Sequence, residues 1–247
     1  MKKIIIIQAR MSSSRLPGKV LMDICGKPML FHQITRLKNC DLVDDIVIAT
    51  TSNELDDEII RTAKMTDVRW YRGSEHDVLS RYIEAAEESK ADIIIRSTAD
   101  CPLIDPSITD KVIELLLKNI NSYDYTSNII RRTYPRGLDV EAFFIDTLSR
   151  INRLAKEQSD REHVTSILRS NFASKFLIGS IEDSINNSDL RWTVDTSEDL
   201  SLVRNLYSKL DLTNKIINYQ EVINFVRANP SLIKINSGIE TWDPQKG

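Results

Sequence analysis

Three cysteines in 247 residues, at positions 25, 40 and 101, are too few, too scattered and odd in number for a disulfide framework or a zinc site. They fit a reduced, cytoplasmic protein with its thiols in or near the core. No apolar run approaches the ~20 residues of a membrane span, which excludes a membrane partner of that kind. Met1-Lys2-Lys3 followed by Ile4 to Ile7 resembles the start of a signal peptide, but Gln8, Arg10 and Arg15 end the apolar stretch short of the ~7 residues such a region needs. A formal charge of −3 lacks the basic excess of a general nucleic-acid binder. No Pro/Gly/Ser linker, internal repeat or low-complexity tract divides the chain. With 41% hydrophobic and 28% charged residues it reads as an ordinary globular protein, one domain over 1–235 followed by a polar tail over 236–247.

What positive charge there is gathers behind the first apolar run. Ile4 to Ile7 are β-branched and uninterrupted, as in a strand buried on both faces of a parallel sheet. Directly after it, Gln8 to Lys19 carries Arg10, Arg15 and Lys19, spaced five and four residues apart, with Ser12, Ser13 and Ser14 between them. Three cations and three hydroxyls at a strand's carboxyl end suit one polyanion, such as a nucleoside triphosphate. Pro17 and Gly18 supply a tight bend that draws the ends of the loop together. A solvated turn before a helix is the alternative reading of the charges alone, and the serines weigh against it. The Gly-x4-Gly-Lys-Ser/Thr pattern of a Walker loop is absent.

Strand and helix then alternate. Helices are expected over 29–37, 55–64, 78–88 and 106–119, strands over 45–50, 68–71 and 92–96. That order implies βαβ crossovers and a mostly parallel, doubly wound α/β sheet. The middle is less regular: 123–128 and 138–144 read as extended, 146–156 and 161–171 as helical, and this region is expected to supply a second substrate's pocket. Strands over 176–181 and 190–194 and helices over 197–209 and 219–228 complete the pattern, with Asn229-Pro230 ending the last.

Two of these strands lead into acids. Ile93 to Arg96 runs on to Asp100, and the stretch from Leu190 to Val194 ends at Asp195, ahead of a helix that Thr196 or Ser197 can cap and whose first turn holds Glu198 and Asp199. A carboxylate among phosphates needs a divalent cation between them, and Mg²⁺ commonly takes one or two carboxylates plus phosphate oxygens. Asp100 and Asp195 are therefore the candidate metal ligands, with Glu198 and Asp199 structural. Two strand-end acids facing an Arg/Arg/Lys loop point to phosphoryl or nucleotidyl transfer.

Together these elements resemble the cytidylyltransferases that activate acidic sugars, such as the enzymes making CMP-Kdo and CMP-sialic acids. The branch most resembled is that of spore-coat polysaccharide biosynthesis. The matching segments are Gln8 to Leu21 (QARMSSSRLPGKVL), Gly26 to Met29, Thr98 to Leu103 (TADCPL), Tyr134 to Glu141 (YPRGLDVE), Arg161 to Thr165 (REHVT) and Trp192 to Leu200 (WTVDTSEDL). The resemblance implies a single-domain Rossmann-like nucleotidyltransferase fold, three-layer α/β/α, that uses CTP and Mg²⁺ and releases pyrophosphate. It places Arg10, Ser13, Arg15 and Lys19 on the triphosphate, Asp100 and Asp195 on the metal, and Gln8, Ala9 and Thr98 among the nucleotide contacts. Ser74 and Asp77, in Arg72 to Asp77, would meet the base and ribose, although Asp77 reads equally well as a helix cap. Members acting on Kdo carry Pro at the position of Gln8 and Gly-Asp-Glu-Pro where this chain has Ala99-Asp100-Cys101-Pro102, so the metal ligand is kept and a neighbouring substrate contact is not.

For the acceptor, a sugar and by resemblance an acidic one, Arg136 or Arg161 can hold a carboxylate bidentately and Asp139 or Glu141 can take hydroxyls. Arg161 with Glu162 also reads as an ion pair, and His163 as a hydrogen-bonded structural residue. A nucleotide-sugar glycosyltransferase is the main alternative, yet it normally shows an Asp-x-Asp pair, which Asp100 does not form. A non-catalytic nucleotide-binding protein is the other, against the full set of Arg10, Lys19, Asp100 and Asp195. A homodimer is compatible with the sequence.

Overall fold

The computed structural model describes residues 1–239. Its centre is a seven-stranded sheet in the order β5-β4-β1-β6-β8-β7-β9, built from β1 (Lys3–Gln8), β4 (Asp45–Thr51), β5 (Arg69–Gly73), β6 (Ile93–Thr98), β7 (Tyr125–Ser127), β8 (Glu141–Phe144) and β9 (Ile178–Ser180). A short antiparallel hairpin, β2 (Asp23–Ile24) with β3 (Lys27–Pro28), lies apart. Strands β5, β4, β1 and β6 are parallel, and β7 and β9 pair parallel with each other. Only β8 runs against its neighbours β6 and β7. The expected mostly parallel, three-layer α/β fold is what forms.

The period of two in a strand explains the layering. Ile4 to Ile7 are all fully buried. Ile5 and Ile7 join Ile48 and Ile95 on one face, packed by α1 (Met29–Leu37), α2 (Asp57–Met65), α4 (Pro106–Lys118), α7 (Ser197–Leu210) and α8 (Tyr219–Ala228). Ile4 and Ile6 join Val47 and Ile94 on the other, under α3 (Val78–Ser89) and α5 (Ile145–Leu154). Each such isoleucine contributes roughly 1.5–3 kcal/mol by burial.

The helix starts follow capping chemistry. Asp105 Oδ1 accepts from Ser107 N at 2.9 Å and Ile108 N at 3.2 Å, ahead of Pro106 in the first turn of α4. Thr196 and Asp199 form a reciprocal capping box on α7. Among the described residues no helix is long and apolar enough to cross a membrane.

Three expected elements differ. The helix expected over 161–171 is instead α6 (Gln158–His163), broken at Val164 and followed by a 3₁₀ turn over Ser166–Arg169. Val164 has φ 58°, a left-handed conformation costly for a β-branched residue. It is fully buried and packs with Ile167 into the α3 face, so core burial overrides local helix propensity. The strand expected over 190–194 is reduced to one isolated bridge, Arg191 to Arg136. After Asn229 the chain makes one more turn, α9 (Pro230–Ile233).

Of the segment read as a tail, residues 240–247 lie outside the described residues. Its first residue is anchored: Asn236 is buried and its Nδ2 donates to Asp199 Oδ1 at 2.8 Å and Arg191 O at 3.0 Å.

Candidate active site

Strands β1 and β6 are neighbours in register, Gln8 opposite Thr98, so the segments leaving their carboxyl ends start side by side. The loop after β1 is fixed at both ends. Ala9 N donates to Ala49 O at 3.1 Å, and Gly18, at φ 72°, closes the loop with N–H donated to Met11 O at 2.9 Å. Between them Met11 N donates to the buried Asp56 at 2.8 Å. The loop after β6 is tied to the segment before α7 by a backbone bond of 2.9 Å from Val194 N to Asp100 O. Thr193 Oγ1 donates to the same Asp100 O at 3.3 Å, so Asp195 reaches the sheet edge through these contacts instead of standing at the end of a strand.

On this frame Lys19 Nζ lies 3.0 Å from Asp100 Oδ2 and 2.9 Å from Asp195 Oδ1, and also donates to Val194 O. Arg15 Nη2 is 3.0 Å from the same Asp195 oxygen. Thr98 Oγ1 donates to Asp100 Oδ1 at 2.6 Å. Burial alone would raise the Asp100 pKa, but the Lys19 ammonium and the Thr98 and Lys19 hydrogen bonds hold it down at about 2. The same pairing raises the Lys19 pKa against the opposing effect of burial.

Two residues support Asp195, and the first of them, Arg191, escaped the sequence reading of the site. Arg191 Nη2 donates to Asp195 Oδ2 at 2.7 Å and its Nε to Asp199 Oδ1 at 2.9 Å. Asp199, fully buried, accepts from the backbone N–H of Asp195 and Thr196 through Oδ2. It is structural as expected, and it steers Asp195. The i, i+4 spacing of Arg191 and Asp195 was the available signal.

Around this centre the cleft has three connected lobes that share Arg15 and Asp100. The first is lined by Gln8, Arg10, Ser12, Ser13, Ser14 and Lys19. The second is bounded by Ala9, Val78, Arg81, Glu162 and His163 together with Gln8 and Arg10. Arg81 is a further residue the sequence reading did not name; its side chain is buried, and its Nη1 donates to Ser74 O. The third is lined by Cys101, Arg136, Gly137, Asp139, Arg191 and Thr193. Gly137 is indispensable there. It has φ 99°, and a Cβ on it would stand 2.4 Å from Thr193 N.

The three cations, the serines, Gln8, Ala9, Thr98, Asp100 and Asp195 are therefore brought together. Others are not placed as the sequence suggested. Glu141 is buried behind the cleft, paired with Arg96 and accepting from Tyr125 Oη at 2.7 Å, so it presents no oxygen to an acceptor. Arg161 pairs with Asp77 at 2.6 Å, not with Glu162, and Asp77 also caps α3 by accepting from Ser80 N. Ser74 Oγ accepts from Asp77 N at 3.0 Å, which leaves the Ser74/Asp77 pair engaged in local structure. Glu162 meets Arg10 at 3.3 Å. His163 lines the second lobe, not the third, and burial lowers its pKa. Arg136 and Asp139 do share the third lobe, where Asp139 is held bidentately by Arg132 at 2.6 and 2.8 Å.

Asp100 and Asp195 also fit a hard cation. Their two carboxylates converge on one ammonium, an all-oxygen, doubly anionic donor pair. Among the described residues no cluster of three or more His, Cys, Asp or Glu could form a closed metal cage.

A cytidylyltransferase family profile matches residues 4–223. The chain is 32% identical over 232 residues to the spore coat polysaccharide biosynthesis protein SpsF of Bacillus subtilis, covering 91% of this chain and 94% of that one. It is 38% identical over 116 residues to a 3-deoxy-manno-octulosonate cytidylyltransferase of Geobacter sulfurreducens, 46% of this chain and 45% of that protein. A solved cytidylyltransferase from Leptospira borgpetersenii superposes with a TM-score of 0.91 at 33% identity, over 98% of this chain and 100% of that one. With the profile covering most of its length, the chain belongs to the cytidylyltransferase family.

Proposed function

We propose that this protein transfers CMP from CTP to a sugar acceptor, an acidic one, with release of pyrophosphate and with Mg²⁺ held by Asp100 and Asp195. The observation that carries this reading is the convergence of both carboxylates on Lys19 Nζ, beside Arg15 and at the mouth of the serine loop. When bound there, Mg²⁺ would supply Lewis-acid charge at the α-phosphate.

The residues divide the remaining work. Lys19, Arg15 and Arg10, with Ser13 and its neighbours, neutralise the triphosphate and the charge that builds on departing pyrophosphate. Ala9 and Val78 give the second lobe apolar walls against which the base can lie. The acceptor's hydroxyl oxygen, entering from the third lobe, attacks the α-phosphorus in line as the bond to the β-phosphate oxygen breaks, and its proton passes to solvent water. Asp100, ionised far below neutrality, is a weak base, suited to charge neutralisation more than to proton abstraction. Arg136 faces the acceptor, where a planar fork suits a carboxylate.

The test is a screen of acidic and neutral sugars with CTP, UTP, ATP and GTP for Mg²⁺-dependent pyrophosphate release. Release with CTP and an acidic sugar is expected. Sugar transfer from an added nucleotide-sugar donor, with no pyrophosphate released from any triphosphate, would replace this reading with glycosyl transfer.

A further inference from the structure

The Glu141 carboxylate, withdrawn from the acceptor lobe, is part of a line of polar side chains that crosses the sheet and ends in the cleft. Tyr125 on β7 donates its Oη to Glu141 Oε2 on β8 at 2.7 Å. Glu141 Oε1 pairs with Arg96 Nη1 on β6, its register partner. Arg96 Nη2 then donates to Gln8 Oε1 on β1 at 3.1 Å. These four strands are consecutive in the sheet, so the line runs across them, one residue per strand. Tyr125 and Glu141 are buried, and the Arg96 side chain is 13% exposed.

The chemistry of Arg96 decides how Gln8 is oriented. A guanidinium has donors and no acceptor, so only the amide oxygen of Gln8 can face it. Without that constraint the two ends of an amide would be interchangeable. Fixing the oxygen on Arg96 turns the planar NH₂ away from it. Gln8 lines both the serine-loop lobe and the Ala9/Val78 lobe, but not the lobe of Arg136. In a nucleotide lying across the first two lobes, the part that bridges them is the ribose 5′-phosphate.

We propose that Gln8 donates a hydrogen bond to an oxygen of the ribose 5′-phosphate portion of the nucleotide, and that Arg96, Glu141 and Tyr125 are positioning residues that lock its amide in the donating orientation. The proposal rests on the nucleotide-binding reading above. It moves Glu141 from the acceptor to the nucleotide, acting at a distance through two side chains. It also gives the buried Arg96–Glu141 ion pair a specific task beyond stability, which such pairs seldom supply.

Calorimetric titration of CTP, CMP and cytidine into the wild-type protein and variants tests it. Gln8→Met keeps length and loses the donor; Gln8→Glu keeps the oxygen facing Arg96 and loses the donor. Each should weaken CTP about five- to tenfold, the worth of one hydrogen bond. The variant Arg96→Met/Glu141→Leu/Tyr125→Phe replaces the network with apolar groups and should lose a similar factor with its melting temperature recorded alongside. Adding Gln8→Met to it should cost nothing further, because both act through the same amide. If that variant does not fold, Arg96→Lys, which keeps the charge and loses the second N–H, takes its place in the cycle. A loss shared by CMP and absent for cytidine assigns the bond to the α-phosphate, and a loss shared by all three assigns it to the ribose. Wild-type affinity in Gln8→Met, or losses that multiply in the combined variant, would overturn the proposal while CTP binding stands. A wild-type protein that does not bind CTP would overturn the functional reading as well.

Discussion

Lys19 and Asp195, 176 residues apart in sequence, are joined by a 2.9 Å ion pair whose ammonium is shared with Asp100. With side-chain exposures of 12% and 15%, the pair is well shielded from solvent. A lysine from the loop after β1 thus pairs with both acids, while Arg15 and Arg191 add their charge at Asp195. In the proposed reaction it exchanges these acids for phosphate oxygens when the nucleotide arrives.

Lys19→Ala and Arg15→Ala should therefore weaken CTP far more than CMP. Each removes a charge-assisted contact worth roughly 1.5–3 kcal/mol, on the side of the loop expected to face the β- and γ-phosphates. Parallel titrations of the two nucleotides check this. Equal losses for CMP and CTP would place the cations at the α-phosphate or in the scaffold.

Asp100→Asn and Asp195→Asn should each abolish turnover while the fold persists, since each removes an anionic oxygen ligand from a hard cation. The readout is pyrophosphate release over a range of Mg²⁺ concentrations. Near-wild-type rates at modest Mg²⁺ in both variants would refute the metal assignment.

Acid stability offers a probe that needs no substrate. The folded-state pKa of Asp100, about 2, lies below the ordinary 3.8, so its contribution is present above pH 3.8 and is lost as pH falls through 2. The stability difference between the wild type and Asp100→Asn should shrink by about 2 kcal/mol across that window. Denaturant melts at pH 6, 4 and 2 measure it. A difference that stays constant with pH would mean that Lys19 does not hold the carboxylate ionised.

Arg136→Lys keeps the charge and loses the planar fork, so it should raise the acceptor's KM or lower kcat while the CTP dissociation constant stays within about twofold. Calorimetry with CTP decides the point. A tenfold loss of nucleotide affinity would move Arg136 out of the acceptor lobe.

The loop and strand ends that form the cation and carboxylate cluster were legible in the sequence because their parts are local. The Ile4 to Ile7 strand, the loop to Lys19 and the run into Asp100 each announce themselves within a dozen residues. The residues proposed for the acceptor were read less well, since their placement depends on distant partners. Glu141 looks like a site residue until Arg96, 45 positions earlier, is found beside it. Arg161 is claimed by Asp77, 84 positions away. The break at Val164 likewise answers to packing under α3 and not to the helical propensity of its neighbours.

The backbone bond from Val194 N to Asp100 O makes the gap between the two acids a main-chain dimension. The tether sets the distance between the two main chains, and Arg191 with Asp199 sets where the Asp195 carboxylate stands on it. In the proposed reaction, acceptor preference would be set in the lobe of Arg136 and Asp139, beside this shared backbone tether.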